Sequence, residues 1–267
     1  MKPIIHFSHA NGFPASCYKT LFSYLDDQYD VRSIDCLGHQ TNFPVSNNWT
    51  HLEAELTHYF ERHYRQPVIA IGHSLGGVLS FLVAMKRPDL VRALIMLDSP
   101  VLTPFQSYGF RLVKRLGLSD RFTPAGRTDG RRREWDSIEE AQAYFSEKSL
   151  MKNFDPRCLA DYVEHGTIEQ EGKRILKFDP DTEMSIYRTI PDNIFVKQAL
   201  KVPSMIMAGN GSAVFRRSNG QYMKSVAGME LKWLDGSHMY PFEWPQQTAD
   251  AIHQQLKHWG VHRSLHA

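Results

Sequence analysis

Short apolar runs alternate with amphipathic stretches along most of this chain. Residues 3–8, 30–35, 68–71, 91–97, 202–209 and 229–235 are compact runs rich in Val, Ile, Leu, Met or Phe, most of them closed by Gly, Ser, Asp or Asn. That pattern predicts buried strands. Between them the apolar spacing turns helical. Tyr18, Leu21, Phe22 and Leu25 share a face of a helix expected over 16–25. Leu52, Leu56, Tyr59 and Phe60 do the same behind an expected Thr50–Glu53 capping box. An almost unbroken apolar run, 78–85, reads as a core helix ending at Arg87-Pro88, and Ala249, Ile252, Leu256 and Trp259 mark a last helix from about Pro245. Strands alternating with helices predict an α/β fold with a mostly parallel sheet covered on both faces.

The alternation lapses over residues 101–198. This stretch is poor in strand pattern, rich in Arg, Glu, Asp and Tyr, and broken by Pro and Gly, with amphipathic helices expected near 105–116, 138–145 and 156–165. It is too long for a structureless loop in a compact domain. The expected organisation is therefore a core made of 1–100 and 199–267, with 101–198 inserted as a helical cap, or lid. Sites in parallel sheets lie beyond the carboxyl ends of the strands. His9, Ser74, Asp98 and His238 all follow predicted strands, so one sheet edge should carry them.

Composition narrows the classes without naming a chemistry. At 267 residues, 42% hydrophobic and 22% charged, the chain suits one such soluble domain. A net charge of +2 gives no strong steering toward nucleic acid or membrane. No run approaches the ~18 apolar residues of a membrane span. Cys17, Cys36 and Cys158 are an odd count without framework spacing, and Met1-Lys2-Pro3 leads straight into a strand rather than a signal peptide. Reduced thiols in a cytoplasmic protein are the expectation.

The chemistry resides in Gly72-His73-Ser74-Leu75-Gly76, a G-x-S-x-G between the strand at 68–71 and the helix at 78–85. In that context the serine stands on a sharp strand-to-helix turn, with free N–H groups at the helix start beside its oxygen. A neutral serine hydroxyl is a poor nucleophile and needs a base. His238, in Asp235-Gly236-Ser237-His238, follows the last predicted strand and is the candidate. His73 is expected to pack inside the turn.

These features together resemble the α/β-hydrolase superfamily, in the form carrying a helical cap after the strand that follows the nucleophile strand. The resemblance rests on His9-Ala10-Asn11-Gly12-Phe13-Pro14, the Ser74 turn, the inserted segment and the late Gly-Ser-His. It implies a sheet starting at the family's third strand, so that the first two strands are missing. It also implies an acyl-transferring serine hydrolase with Ser74 as nucleophile, His238 as base and Leu75 N–H as one oxyanion donor. The second donor falls in the loop after the first strand, at Asn11 or, as second choice, Phe13. The family's usual acid position, in Gly-x-x-Asp, is occupied here by Ser212. Serine cannot hold an imidazolium as a carboxylate does. Asp98 is the first substitute, since some superfamily members carry the acid there; Asp235, Glu230, Glu243 or an acid-free dyad remain open.

The expected activity is cleavage of a small or medium carboxylic ester through an acyl-enzyme. No metal and no cofactor are expected, since His253, His258 and His262 lack the i,i+4 spacing with an acidic partner typical of a helical site. Nucleic acid is not an expected partner. Arg131-Arg132-Arg133 is expected to be a solvated face, and Tyr240, Phe242 and Trp244 are candidates for an acyl pocket. Two other classes stay open: a lyase or carbon–carbon bond hydrolase on the same fold, and a ligand-binding module without turnover.

Overall fold

A computed structural model describes residues 2–263. Six strands form the central sheet in the order β2-β1-β3-β4-β8-β9: β1 (Ile4–Ser8), β2 (Asp30–Ser33), β3 (Val68–His73), β4 (Val91–Leu97), β8 (Ser204–Gly209) and β9 (Glu230–Leu234). Every pairing is parallel. Because strand side chains alternate between faces, consecutive residues enter different cores. Ile5, Phe7, Ile69, Ile71, Ile95, Leu97 and Met207 pack on one side. Val68, Ala70, Leu94, Met96, Ile206 and Ala208 pack on the other. Both faces are therefore dry, which is why these strands read as continuous apolar runs.

Helices Thr50–His63, Leu75–Lys86 and Arg217–Ala227 cover one face through Leu52, Leu56, Phe60, Leu79, Val83 and Met223. Lys19–Ser23 and Pro245–His258 cover the other through Leu21, Ile252 and Leu256. Two local expectations are corrected. The stretch 16–25 is not one helix but a 3-10 turn, Ala15–Tyr18, followed by the short helix Lys19–Ser23. The Thr50 capping box does not form either. A 3-10 turn, Asn47–Trp49, precedes the helix; Thr50 donates to Asn47 O, while Ser46 Oγ accepts from His51 N–H. Glu53 is turned away to bind Lys86.

Between β4 and β8 the chain forms helices that include Pro104–Arg115, Ile138–Ser146, Pro156–His165 and Pro180–Arg188, close to the periodicity reading. It also forms an antiparallel sheet that helical periodicity did not suggest: β5 (Glu134–Trp135), β6 (Thr167–Gln170) and β7 (Lys173–Leu176), in the order β5-β7-β6. The β6–β7 hairpin turns at Glu171 and Gly172, both at positive φ (52° and 77°), the conformation a two-residue turn demands. The segment between β4 and β8 shares the core of the sheet. Phe154 stacks on Phe242 at 4.9 Å, and Tyr162 meets Phe13 at 5.0 Å.

Candidate active site

β3 delivers Ser74 to the carboxyl edge of the sheet, and the backbone there is strained. Ser74 has φ 52° and ψ −114°, a region L-residues seldom occupy. The turn is held because Ser74 N–H donates to Leu97 O (3.0 Å) and Gly76 N–H donates to His9 O (3.1 Å). Gly76 allows that approach: a Cβ there would lie 2.0 Å from Ser8 O. The requirement for glycine thus comes from the neighbouring strand rather than from φ.

Helix Leu75–Lys86 starts at the next residue. His238, in the loop after β9, lies over the serine. Ser74 Oγ–H donates to His238 Nε2 at 3.1 Å, and His238 Nδ1–H donates to Asp98 Oδ2 at 2.6 Å. Asp98 is fully buried at the end of β4, itself at φ 45°. A buried carboxylate must have its lone pairs occupied. Here Gly209 N–H reaches Oδ1 (2.8 Å), and Ser212 Oγ–H reaches Oδ2 (2.6 Å). Ser212, the residue at the usual acid position, is therefore a hydrogen-bond donor to the carboxylate at 98. Its own oxygen accepts from Val214 and Phe215 N–H.

The other carboxylates are committed elsewhere. Asp235 is exposed and accepts from Asn210 Nδ2; Glu230 accepts from Trp259 Nε1 and Gln255 Nε2. Glu243 fixes the histidine loop, accepting from Ser237 N–H (2.7 Å) and Ser237 Oγ–H (2.5 Å). Geometry joins Asp98, and none of the three alternatives, to His238.

His73 does pack inside the turn, but it also links two parts of the site. Ala10 N–H donates to Tyr18 Oη, Tyr18 O–H donates to His73 Nδ1 (2.7 Å), and His73 Nε2–H donates to the carbonyl of His238 (2.9 Å). Burial, with the neighbouring His238 second, pulls the His73 pKa down to about 3, so the ring stays neutral and its tautomer fixed. Tyr18 and Glu243 support the site with no local sequence signal beyond apolar spacing and chain proximity.

Among the described residues the backbone N–H groups of Leu75 and Gly77 at the helix start, and of Asn11 and Gly12 in the loop after β1, have no hydrogen-bond partner, whereas Phe13 N–H donates to Ala10 O at 3.1 Å. The Phe13 ring packs against Tyr162 and Phe242. Asn11 is anchored through its side chain, Nδ2 donating to Glu183 O at 3.0 Å. His9 is turned away, accepting Leu37 N–H on Nε2. Of the aromatic pocket candidates, Tyr240 and Phe242 are core residues, while Trp244 is half exposed. The arginine run also departs from expectation. Arg132 and Arg133 are surface residues, but Arg131 reaches inward to the buried Glu183 (2.8 Å) beside the Asn11 loop.

A buried carboxylate, an imidazole and a serine in sequential hydrogen bonds form an arrangement in which the imidazole can accept the serine proton while the carboxylate fixes its tautomer. Comparison with known proteins agrees with the fold. The model of the alpha/beta hydrolase family matches residues 7–251. A type I acyl-CoA thioesterase, mpaH, of Penicillium brevicompactum is 26% identical over 174 residues, covering 59% of this chain and 38% of that protein. The karrikin insensitive 2 receptor IA of Petunia hybrida is 25% identical over 189 residues, covering 68% and 62% respectively. The chain thus spans less than two thirds of either curated relative. Among solved structures, E-2-(acetamidomethylene)succinate hydrolase superposes with a TM-score of 0.75 at 18% identity, covering 96% of this chain and 92% of its own.

Proposed function

Since the chain belongs to the alpha/beta hydrolase family, we propose that it is a serine hydrolase cleaving a small or medium carboxylic ester. The observation that carries this reading is the unbroken chain Ser74 Oγ–His238 Nε2, His238 Nδ1–Asp98 Oδ2. His238 takes the Ser74 proton as Oγ adds to the acyl carbonyl, and Asp98 keeps the proton on Nδ1 so that Nε2 is free to accept. The carbonyl oxygen becomes an oxyanion, received by Leu75 N–H and Asn11 N–H, each worth ~3–4 kcal/mol if aimed at it. His238 returns the proton to the leaving alcohol. Water, deprotonated by His238, then adds to the acyl-enzyme and releases the acid and Ser74. The segment 101–198 is the cap that shapes the acyl site.

A thiolate is a better leaving group than an alkoxide and uses the same steps. The partial likeness to an acyl-CoA thioesterase makes a thioester the second substrate class to test. The unbroken chain of hydrogen bonds favours turnover over a binding-only role. A fluorophosphonate probe should label the protein rapidly and fail on Ser74→Ala. Hydrolysis of an ester panel graded by acyl length, with one acyl thioester, should then rank substrates. No labelling of the parent protein would overturn the reading.

A further inference from the structure

Helix Pro104–Arg115 is amphipathic in the wrong sense for a helix that packs on a core. Phe105, Tyr108, Leu112 and Leu116 recur at i, i+3, i+7 and i+11, so they share one face. That face points outward: Phe105 is 87% exposed, Leu112 58% and Leu116 62%, with Phe122 at 63% just beyond. The inward side is anchored by polar contacts. Arg111 and Lys114 reach the buried Asp192, and Gln106 Oε1 accepts from Asn219 Nδ2. Contiguous apolar surface on a soluble protein, ringed by polar groups, marks an interaction site.

The rim is cationic. No acidic residue occurs between Asp98 and Asp120, whereas Arg111, Lys114 and Arg115 do, with Arg121 beside Phe122. Next to the stripe is an open pocket of about 630 Å³, lined among others by Arg111, Lys114, Arg115, Arg188, Asp120 and Asp192. Asp120 is held by Arg188, and Asp192 is shared by Arg111 and Lys114. Four cations thus face two carboxylates, and Arg115 has no ion pair among the described residues. An outward apolar stripe with Arg115 and Arg121, neither in an ion pair among the described residues, at its end matches a helix lying in a bilayer interface with anionic headgroups over the basic rim.

We propose that the Pro104–Leu116 face is a docking surface for an anionic phospholipid bilayer, with the apolar stripe entering the acyl region and Arg115, the cation of the adjoining pocket without an ion pair, meeting headgroup phosphate. A second copy of the chain is the less suitable occupant: a twofold contact sets the same patch against itself and opposes two cationic rims. The proposal concerns where the protein sits and holds whether or not Ser74 acts on an ester. It does bring the docked helix within a few residues of Asp98, on the cap side of the site.

The test is co-sedimentation of the full chain with vesicles of phosphatidylcholine alone or with about 30% phosphatidylglycerol, at ~0.05 and ~0.5 M salt. Binding is expected on the anionic vesicles only, weakened at high salt. Arg115→Ala should lower affinity about fivefold, the effect of one surface cation. Leu112→Glu with Leu116→Glu should abolish binding while the thermal transition stays at the parent value. Equal binding to neutral vesicles, or none to either, overturns the proposal. So does a concentration-dependent dimer by light scattering that the double variant converts to monomer. Inorganic phosphate that protects against unfolding while vesicles are not bound would assign the pocket to a free anion and overturn it likewise.

Discussion

Replacing Asp98 by asparagine tests the centre of the proposed mechanism with almost no change in shape. In the parent protein Asp98 Oδ1 accepts Gly209 N–H, and Oδ2 accepts both Ser212 Oγ–H and His238 Nδ1–H. An amide has one oxygen, and Gly209 N–H, a fixed backbone donor, claims it. The NH₂ group then faces His238 Nδ1, which can satisfy it only as an acceptor. The histidine proton moves to Nε2, where it points at Ser74 Oγ and blocks deprotonation. A wrong tautomer of this kind costs a factor of about 10⁴ in turnover, roughly 5 kcal/mol of barrier. Ser212→Ala removes one of the three bonds to the carboxylate but leaves it charged, so the loss should be about tenfold, in line with one charge-assisted hydrogen bond. The assay is steady-state hydrolysis of the best ester, with the fluorophosphonate labelling rate as a probe of the first step alone. Asp98→Asn with turnover within tenfold of the parent, or labelled at the parent rate, would refute the argument.

Three further outcomes follow from particular contacts. Glu55 is buried, and desolvation raises its pKa from 4.5 to about 7. Between those values the folded state binds the extra proton, so stability falls as pH rises through 7. Glu55→Gln, whose carbonyl still accepts Gly38 N–H, should gain on the parent by up to about 3 kcal/mol in going from pH 5 to pH 8 in urea unfolding; a pH-independent difference would contradict this. Ser74 pays for its positive φ, so Ser74→Gly should unfold about 1 kcal/mol later than Ser74→Ala in denaturant titrations, both being inactive. Tyr18→Phe strands Ala10 N–H and His73 Nδ1 in the core and should cost about 2 kcal/mol by the same measurement, and an unchanged midpoint would show that the bridge bears no weight.

Local periodicity carried most of the fold. β4 falls where the apolar run predicts, the Ser74 turn sits between its strand and helix, and helix Pro156–His165 has the expected bounds. Short-range hydrophobic spacing writes such elements directly, because burial of one face or stripe depends on nearest neighbours in sequence. It missed β5, β6 and β7, whose strands are short and partly exposed and therefore lack an apolar run. It also misread Thr50, because a 3-10 turn precedes the helix, Ser46 Oγ takes the His51 N–H and Glu53 is bound to Lys86.

The site divides in the same way. The sequence alone determined that Ser74 stands on a tight turn and that a histidine follows the last strand, since motif and chain order are local properties. Five readings of the acid stayed open, an acid-free dyad among them, and strand order is what brings Asp98, alone of the four carboxylates, to His238. β4 lies between β3 and β8, so Asp98 ends beside both the histidine loop and Ser212, residues more than 110 positions away along the chain. The same register turned Ser212 from a missing acid into a donor to one and placed Glu243 on Ser237. Such contacts follow from how distant strands lie against each other. No pattern along the chain encodes that, because the energy of a hydrogen bond between remote residues depends on their separation in space and not on their separation in sequence.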